Sequence, residues 1–450
     1  MSRVLVLGGA VSGTGAARLT RRVGHQVAVY DRRPEAVEGL AGEGFPTNAG
    51  EWSAGFLEGF DLVVASPGFP EWSPPIQDAR AAGLPVWSEI ELAFRHLDAA
   101  VLAVTGTNGK TTVASLVADM LAGSGRKAVA AGNIGLALSD VVGEPWDTVV
   151  VEASSFQLRF IDRFRPDVAV ILNVAPDHLD WHGSLEAYSD AKARVFSNQS
   201  PSDVLVYDAD DPGATALSVR APSRLAQVSG TRVPEGGAGA DGPVLRFPAF
   251  EVSLDGLPVP DAAYLVDLAA AGMAALHGGA TPEAVSEGIR RFRPGPHRRS
   301  VIGSWEDVTW VDDSKATNPH AAVAAARAYP AVILLAGGRN KGLDLRPLAE
   351  VPSVRHVVAF GEAGPELVEV AGPGRVTMVG TVEEAVALAD VLAQRGDTVL
   401  LAPGCASFDM FRSYAERGEA FASAVRARRG GLGGHGGPEE ADGGQPPGER

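Results

Sequence analysis

One cysteine, Cys405, is the whole thiol complement of this 450-residue chain. It can neither close an internal disulfide nor build a Cys-based metal site, which suits a reducing compartment, and its expected role is packing. Long apolar runs are missing too. Although 45% of the residues are hydrophobic, no uninterrupted stretch approaches the ~20 residues that a membrane span requires. The chain is therefore expected to fold in water and to insert into no membrane. Met1-Ser2-Arg3 leads into Val4-Leu5-Val6-Leu7-Gly8, an apolar run too short for a signal peptide. The segment is read as a first strand entering a Gly turn, and the expected location is the cytoplasm. Positive charge is in short supply, with 39 Lys and Arg against 55 Asp and Glu and a net charge of −16. This balance argues against a nucleic-acid partner, which wants a basic face. An anionic small molecule stays compatible provided that basic residues cluster at its site.

The length exceeds what one hydrophobic core usually serves and implies about three domains of ~150 residues. In residues 1–96, short β-rich runs at 4–7, 27–30 and 62–65 alternate with Ala- and Arg-rich helical stretches, which reads as a small parallel α/β unit. A second unit, 97–294, opens with a strand at 99–104. It contains apolar strands at 148–151 and 168–172 of the kind buried on both faces. It closes after a helix that Thr281 can cap and Pro282 can start, with Val285, Ile289 and Phe292 on one side. Arg293-Pro294-Gly295-Pro296 cannot continue that helix, which sets the boundary. The third unit, 295–429, has strands at 309–311, 332–335, 356–360 and 398–401, and Thr381-Val382-Glu383-Glu384 reads as a capping box. Residues 430–450 are Gly, Pro, Glu and other polar residues with almost nothing to bury, and are expected to form a disordered tail.

The strongest local signal is Thr105-Gly106-Thr107-Asn108-Gly109-Lys110-Thr111-Thr112, after an apolar strand and before an amphipathic helix at 113–121. Glycines there let backbone N–H groups wrap a phosphate chain at a helix N-terminus. Lys110 is placed to neutralise the β- and γ-phosphates of ATP, and the Thr111 hydroxyl can ligate Mg²⁺. The commonest phosphate loop has four residues between its first Gly and Gly-Lys, whereas this one has two.

That variant, Gly-Thr-Asn-Gly-Lys-Thr, resembles the loop of the Mur ligase and folylpolyglutamate synthase superfamily. Further segments resemble the D-glutamate-adding branch of the Mur ligases: Gly132-Asn133-Ile134-Gly135, Glu152-Ala153-Ser154-Ser155-Phe156-Gln157-Leu158, Asn173-Val174-Ala175-Pro176-Asp177-His178-Leu179-Asp180 and Asp312-Asp313-Ser314-Lys315-Ala316-Thr317-Asn318. The resemblance covers nearly all of residues 1–429. It implies three α/β domains: a Rossmann-like N-terminal domain that binds a UDP precursor, a central P-loop ATPase domain, and a Rossmann-like C-terminal domain that binds an amino acid.

The resemblance also assigns roles residue by residue. Gly106, Thr107, Asn108, Gly109, Lys110, Thr111 and Thr112 would bind ATP, together with Arg298 and Asp313. Thr111, Glu152, His178 and Lys192 would hold magnesium, two ions being implied. Glu152, just past a strand, suits a hard cation on its own chemistry, whereas spacing alone makes His178 structural and Lys192 a solvated surface lysine. The matching lysine in relatives is carbamylated, which an ordinary lysine with pKa about 10.4 does not favour at neutral pH. Arg298, in Pro296-His297-Arg298, resembles a linker arginine that meets the γ-phosphate. Lys315, Thr317, Lys341, Ser407 and Tyr414 resemble contacts to D-glutamate, with Tyr414 standing where relatives often have Phe. Gly8-Gly9-Ala10-Val11-Ser12-Gly13 misses the dinucleotide pattern at Ala10. By itself it suggests Asp31 on a ribose, but the resemblance implies that Ser12, Asp31, Arg33, Ser66, Gly68 and Asn133 hold the uridine-diphosphate precursor. One segment departs from the family. Where Gly-x-His-Asn-x-x-Asn usually opens a helix near the nucleotide, this chain has Pro260-Asp261-Ala262-Ala263-Tyr264-Leu265-Val266-Asp267, and only Asp267 stands near the last Asn.

The implied catalytic group is Lys110, Lys192, His178 and Arg298. The implied reaction activates UDP-N-acetylmuramoyl-L-alanine with ATP through an acyl phosphate and joins it to D-glutamate, in a monomer. A sister ligase with another amino acid, a dinucleotide oxidoreductase built on the first domain, and a non-catalytic ATP-binding regulator stay open at this point.

Overall fold

The computed structural model describes residues 2–257, 261–372 and 374–430. The tail read beyond Gly430, and Pro260 of the departing segment, lie outside the described residues. The chain forms two compact units, one of residues 1–295 with 341–343 and one of 296–340 with the chain from 344 onward.

Among the described residues the first unit holds two sheets. The first is parallel, with strands in the order Thr47–Ala49, Gln26–Asp31, Arg3–Leu7, Leu62–Ala65 and Val86–Ser88. The second runs Glu251–Ser253, Val244–Arg246, Ala238–Asp241, Arg224–Ser229, Val204–Asp208, Val168–Ile171, Ala100–Thr105, Thr148–Glu152 and Ala128–Gly132. The four central strands of its parallel part, Val204–Asp208, Val168–Ile171, Ala100–Thr105 and Thr148–Glu152, are Val-, Ala- and Leu-rich and buried on both faces, and the sheet ends in a short antiparallel meander of less apolar strands. Ala100–Thr105 is flanked by Thr148–Glu152 and Val168–Ile171, with Val104 opposite Glu152 and Thr105 opposite Ile171. Chain order reverses at this strand, so the loops leaving three neighbouring strands open a crevice at their carboxyl ends.

One apolar cluster spans both sheets, from Val4, Val6 and Val64 to Val101, Val149 and Ile171. Two buried carboxylates from the helix Glu89–Phe94 fasten the seam. Glu91, fully buried, accepts N–H bonds from Asp162, Arg163 and Phe164 at 2.8–3.0 Å and the Arg95 Nε at 2.6 Å. Glu89 Oε1 accepts the Ser139 N–H at 2.6 Å, and burial pushes its pKa up to about 7. Capping follows the sequence only in part. Thr281 caps Pro282–Arg291, and Thr381 accepts the Glu384 N–H at 3.1 Å, but Glu384 reaches back to Gly380 rather than Thr381. The reciprocal box forms instead between Ser154 and Gln157.

The second unit contains a sheet ordered Ser300–Trp305, Val308–Asp312, Thr398–Gly404, Val332–Gly337, Val354–Phe360 and Val376–Met378, parallel except for its first pair. Arg417, fully buried on the helix Tyr414–Gly430, donates to Ser314 Oγ and O and to Cys405 O at 2.9–3.1 Å. It ties together the loops that leave two adjacent strands. Burial pulls its pKa down to about 10. Cys405 is buried, in line with a packing role.

Candidate active site

The strand Ala100–Thr105 turns through Gly106 to Gly109 into the helix Lys110–Gly123. Gly109 has φ 86°, and a Cβ there would lie 2.3 Å from Asp267 Oδ1 and 2.8 Å from Leu172 Cδ1. Only glycine fits, on grounds of both backbone and space. The loop is braced from behind. Asn173 accepts the Asn108 N–H on Oδ1 at 2.8 Å and the Thr107 N–H on its carbonyl at 2.9 Å. The buried Thr107 hydroxyl bonds to Ala175 O and the Tyr188 hydroxyl, each at 3.1 Å. Lys110 Nζ donates to the carbonyls of Gly106 and Thr107 at 3.0 and 2.9 Å, along the rim of the loop. Thr111 and Thr112 are half-buried in the first helical turn.

Lys192 corrects the reading from spacing. It is 1% exposed at the end of the helix Leu185–Ala193, and its Nζ donates to Gly106 O at 2.7 Å. Two lysines therefore converge on one carbonyl of the phosphate loop. Burial, helped by the charge of Lys110, holds the Lys192 amine well below the usual lysine range. Glu152 is the last residue of its strand rather than the residue after it, and is 2% exposed. Its Oε1 accepts Asn133 Nδ2 at 2.8 Å, while Oε2 is buried with no hydrogen-bond partner. A buried carboxylate oxygen without a donor is costly, which marks it as an oxygen suited to a cation.

His178 sits in the left-handed region, φ 53°, at the N-cap of the helix Leu179–His182. Its backbone N–H donates to Asp177 Oδ1 at 2.8 Å and its ring meets Phe156 edge-on at 4.7 Å. Burial pushes its pKa down to about 4 against the opposing pull of Asp177, so the imidazole is neutral near pH 7 and has a lone pair to offer. Among the described residues no group of three or more His, Cys, Asp or Glu is placed to hold a metal. The donors that suit a hard cation here are oxygens, the buried orphan carboxylate oxygen of Glu152 and the Thr111 hydroxyl, whereas an unmodified Lys192 amine does not suit one.

At the carboxyl edge of the first sheet, Asp31 accepts the Gly9 N–H at 3.0 Å and the Arg33 N–H at 2.9 Å, so its carboxylate shapes the glycine loop. Ser66 faces the same loop, its hydroxyl buried and without a partner. Ser12 is half-buried, while Arg33, Gly68 and Asn133 are exposed.

In the second unit, Asp313 is buried and accepts the Arg299 N–H at 3.2 Å. Burial raises its pKa to about 6 against the pull of Arg299. Arg298 lies between two left-handed residues, His297 (φ 56°) and Arg299 (φ 52°), and His297 Nδ1 pairs with Asp312 Oδ2 at 2.7 Å. Lys315 Nζ lies 5.0 Å from the Tyr414 ring centre, Thr317 is half-buried, and Ser407 is buried on the loop that Arg417 ties to Ser314. Lys341 groups with the first unit, where its Nζ is 3.0 Å from Asp177 Oδ1.

Comparison with known proteins shows the family of the chain. Residues 2–88 match the family described as Mur ligase MurD-like, N-terminal domain, 104–231 the Mur ligase middle domain, and 297–405 the Mur ligase, glutamate ligase domain. The UDP-N-acetylmuramoylalanine--D-glutamate ligase of Shouchella clausii (strain KSM-K16) is 40% identical over 430 residues, covering 93% of this chain and 95% of that protein. The chain belongs to the Mur ligase family. The protein of the same description from Mycobacterium avium (strain 104) is 40% identical over 479 residues, covering 94% and 96%. The solved structure of UDP-N-acetylmuramate-alanine ligase MurC from Thermotoga maritima shares the fold, with a TM-score of 0.57 at 18% identity over 95% of this chain and all of that one.

Within this Mur ligase, sequence reasoning gives Asn173 no bracing role and points to Asp267 only as the residue nearest the family's last Asn. Asn173, one residue of the Asn173–Asp180 motif, braces two loop residues. Its place directly after a buried strand was the available signal. Asp267 stands against Gly109, on a helix far along the chain from the loop. His182, which follows Trp181, bonds Ser155 Oγ at 2.9 Å and is held near pKa 4 by burial.

Proposed function

We infer that this chain is an ATP-dependent, amide-bond-forming ligase that adds D-glutamate to UDP-N-acetylmuramoyl-L-alanine in peptidoglycan synthesis. The observation that carries the reading is 39–40% identity, across nearly the whole chain, to proteins described as UDP-N-acetylmuramoylalanine--D-glutamate ligases. The phosphate loop, with two lysines on one carbonyl, suits the phosphoryl transfer such a reaction needs.

In this reading residues 1–96 hold the precursor, 97–294 bind ATP and 295–429 bind the amino acid. The L-alanine carboxylate of the precursor attacks the γ-phosphorus of ATP, ADP leaves, and an acyl phosphate forms. The amine of D-glutamate then attacks the acyl carbon, phosphate leaves, and the amide is complete. Lys110 and Arg298 spread the charge of the moving phosphoryl group, which is mostly electrostatic work. Thr111, Glu152, His178 and Lys192, the last as a carbamate, would hold two magnesium ions, which supply positive charge against the phosphate oxygens when bound. The low pKa of the Lys192 amine supports that modification, since the neutral amine is the form that adds CO₂. His178 acts as a neutral contact rather than as a base. Ser12, Asp31, Arg33, Ser66, Gly68 and Asn133 would bind the precursor, Asp313 would assist at ATP, and Lys315, Thr317, Lys341, Ser407 and Tyr414 would bind D-glutamate. The enzyme would work as a cytoplasmic monomer, and its product would serve cell shape and division.

A phosphate-release screen of amino acids with ATP, Mg²⁺ and UDP-N-acetylmuramoyl-L-alanine tests the reading. D-glutamate is expected to give the fastest release, with L-glutamate poor because its amine points away when both carboxylates are held. Faster release with L-glutamate, glycine or meso-diaminopimelate would remove D-glutamate from the assignment.

A further inference from the structure

Trp181 lies in the first unit between two loops that the proposed chemistry needs in register. Its indole Nε1 donates to Pro67 O at 3.1 Å, inside the turn Ser66-Pro67-Gly68 that leaves the first sheet. Its own carbonyl accepts the Trp72 Nε1 at 3.3 Å, so the connection between the two loops is reciprocal. The Trp181 ring packs against the core of the first sheet beside Phe160. Its other contacts face the phosphate-transfer side. The ring is 4.8 Å from Phe156 and 4.4 Å from His182. Phe156 in turn stacks on His182 and meets His178 edge-on. Trp181 and His178 share a single turn of helix, with the Trp181 N–H bonded to His178 O at 3.1 Å. A second connection runs alongside, where Glu71 pairs with Arg80 of the first sheet's helix and with Arg159 beside Phe156.

We propose that Trp181 is a positioning residue that sets the Ser66–Gly68 turn against the His178 helix cap, and so sets where the reacting end of the bound precursor lies. The proposal rests on the reading of that turn as a precursor contact. The physical reason is rigidity. A tryptophan offers a broad ring with two side-chain torsions and one directional N–H, so it can hold two loops at a set spacing with little entropy to lose. An error of an ångström in that spacing falls directly on the attack geometry of the carboxylate.

The test is Trp181→Phe in the full chain, which keeps ring packing and removes the indole N–H. Calorimetric binding of UDP-N-acetylmuramoyl-L-alanine and steady-state phosphate release are measured with thermal unfolding as a check on the fold. The expected result is a precursor Kd and KM raised roughly three- to tenfold, the usual worth of one neutral hydrogen bond. The KM for ATP should stay within about twofold and the melting temperature nearly constant, since the bond removed reaches the Ser66–Gly68 turn while the ring contacts on the phosphate-transfer side are kept. A purely structural role would lower the melting temperature or the active fraction and leave the ratio of the two KM values unmoved, and that result overturns the proposal. Unchanged kinetics and binding in the variant also overturn it while leaving the functional reading intact. Wild-type protein that fails to bind the precursor at all overturns both.

Discussion

Replacing Lys192 with methionine separates what the side chain does for the fold from what it does for catalysis. Lys192 is 1% exposed and its amine donates to Gly106 O at 2.7 Å. That carbonyl also accepts Lys110 Nζ at 3.0 Å, so Lys192→Met leaves no orphaned acceptor. The lost bond is worth about 1 kcal/mol, while the buried amine costs about 1–3 kcal/mol in desolvation that a thioether of similar length avoids. The net expectation is a variant as stable as wild type or stabilised by up to about 2 kcal/mol, a rise of a few degrees at most in a unit of this size. The effect has a pH signature. The folded pKa of Lys192 is depressed below 10.5, so between the folded and unfolded values the unfolded chain binds the extra proton, and wild-type stability rises with pH across that window. The advantage of Lys192→Met is therefore largest at low pH and shrinks as pH approaches the ordinary lysine value. Turnover should nevertheless fall about 10²-fold or more, because the group that would complete the magnesium site is gone. Differential scanning calorimetry in bicarbonate-free buffer at several pH values, paired with phosphate release, measures both. Turnover within a few fold of wild type, or a melting point well below it at neutral pH, refutes the reasoning.

Lys110→Ala should lower phosphate release by about 10² or more with little change in melting temperature; activity within a few fold of wild type would remove Lys110 from the phosphate site. Gly109→Ala should weaken ATP binding, since the left-handed backbone costs about 1–2 kcal/mol and the new methyl would lie 2.3 Å from Asp267 Oδ1; unaltered ATP affinity by calorimetry would count against that geometry. Glu91→Ala strands three backbone N–H groups at the seam of the first unit and removes one of the two carboxylates that Arg95 pairs with. A loss of about 3–5 kcal/mol is expected, and a denaturant midpoint close to wild type would contradict it. The imidazoles of His178 and His182, both near pKa 4, should stay neutral through the assay range. Neither ring should then contribute a step near 6.5 to the acid limb of kcat/KM, and NMR titration of either ring near 6.5 would overturn the burial argument.

The phosphate loop, the α/β alternation and most strand positions are legible in the sequence because each depends on neighbours a few residues away. An apolar strand, two glycines and a Lys-Thr at a helix start specify a loop whatever surrounds it. The same holds for the Thr281 cap, which bonds three residues ahead. The capping box at Thr381 shows the limit of such reading, since Glu384 has two backbone N–H groups within reach and takes that of Gly380.

Contacts between distant segments depend on the whole fold and leave no local signal. Lys192 carries the same helical surroundings as a surface lysine, yet it is buried and its amine bonds Gly106 O, 86 residues earlier. Asn173 meets Asn108 across 65 residues, Glu91 meets Asp162 across 71, and Trp181 meets Pro67 across 114. The unpartnered Glu152 oxygen is invisible to any pattern, because an orphaned atom is defined by what packs around it. Local propensity and periodicity act over one or two turns of chain. Desolvation, the force that depresses the Lys192 and His178 pKa values, depends on all the atoms that exclude water, and those are chosen by the fold.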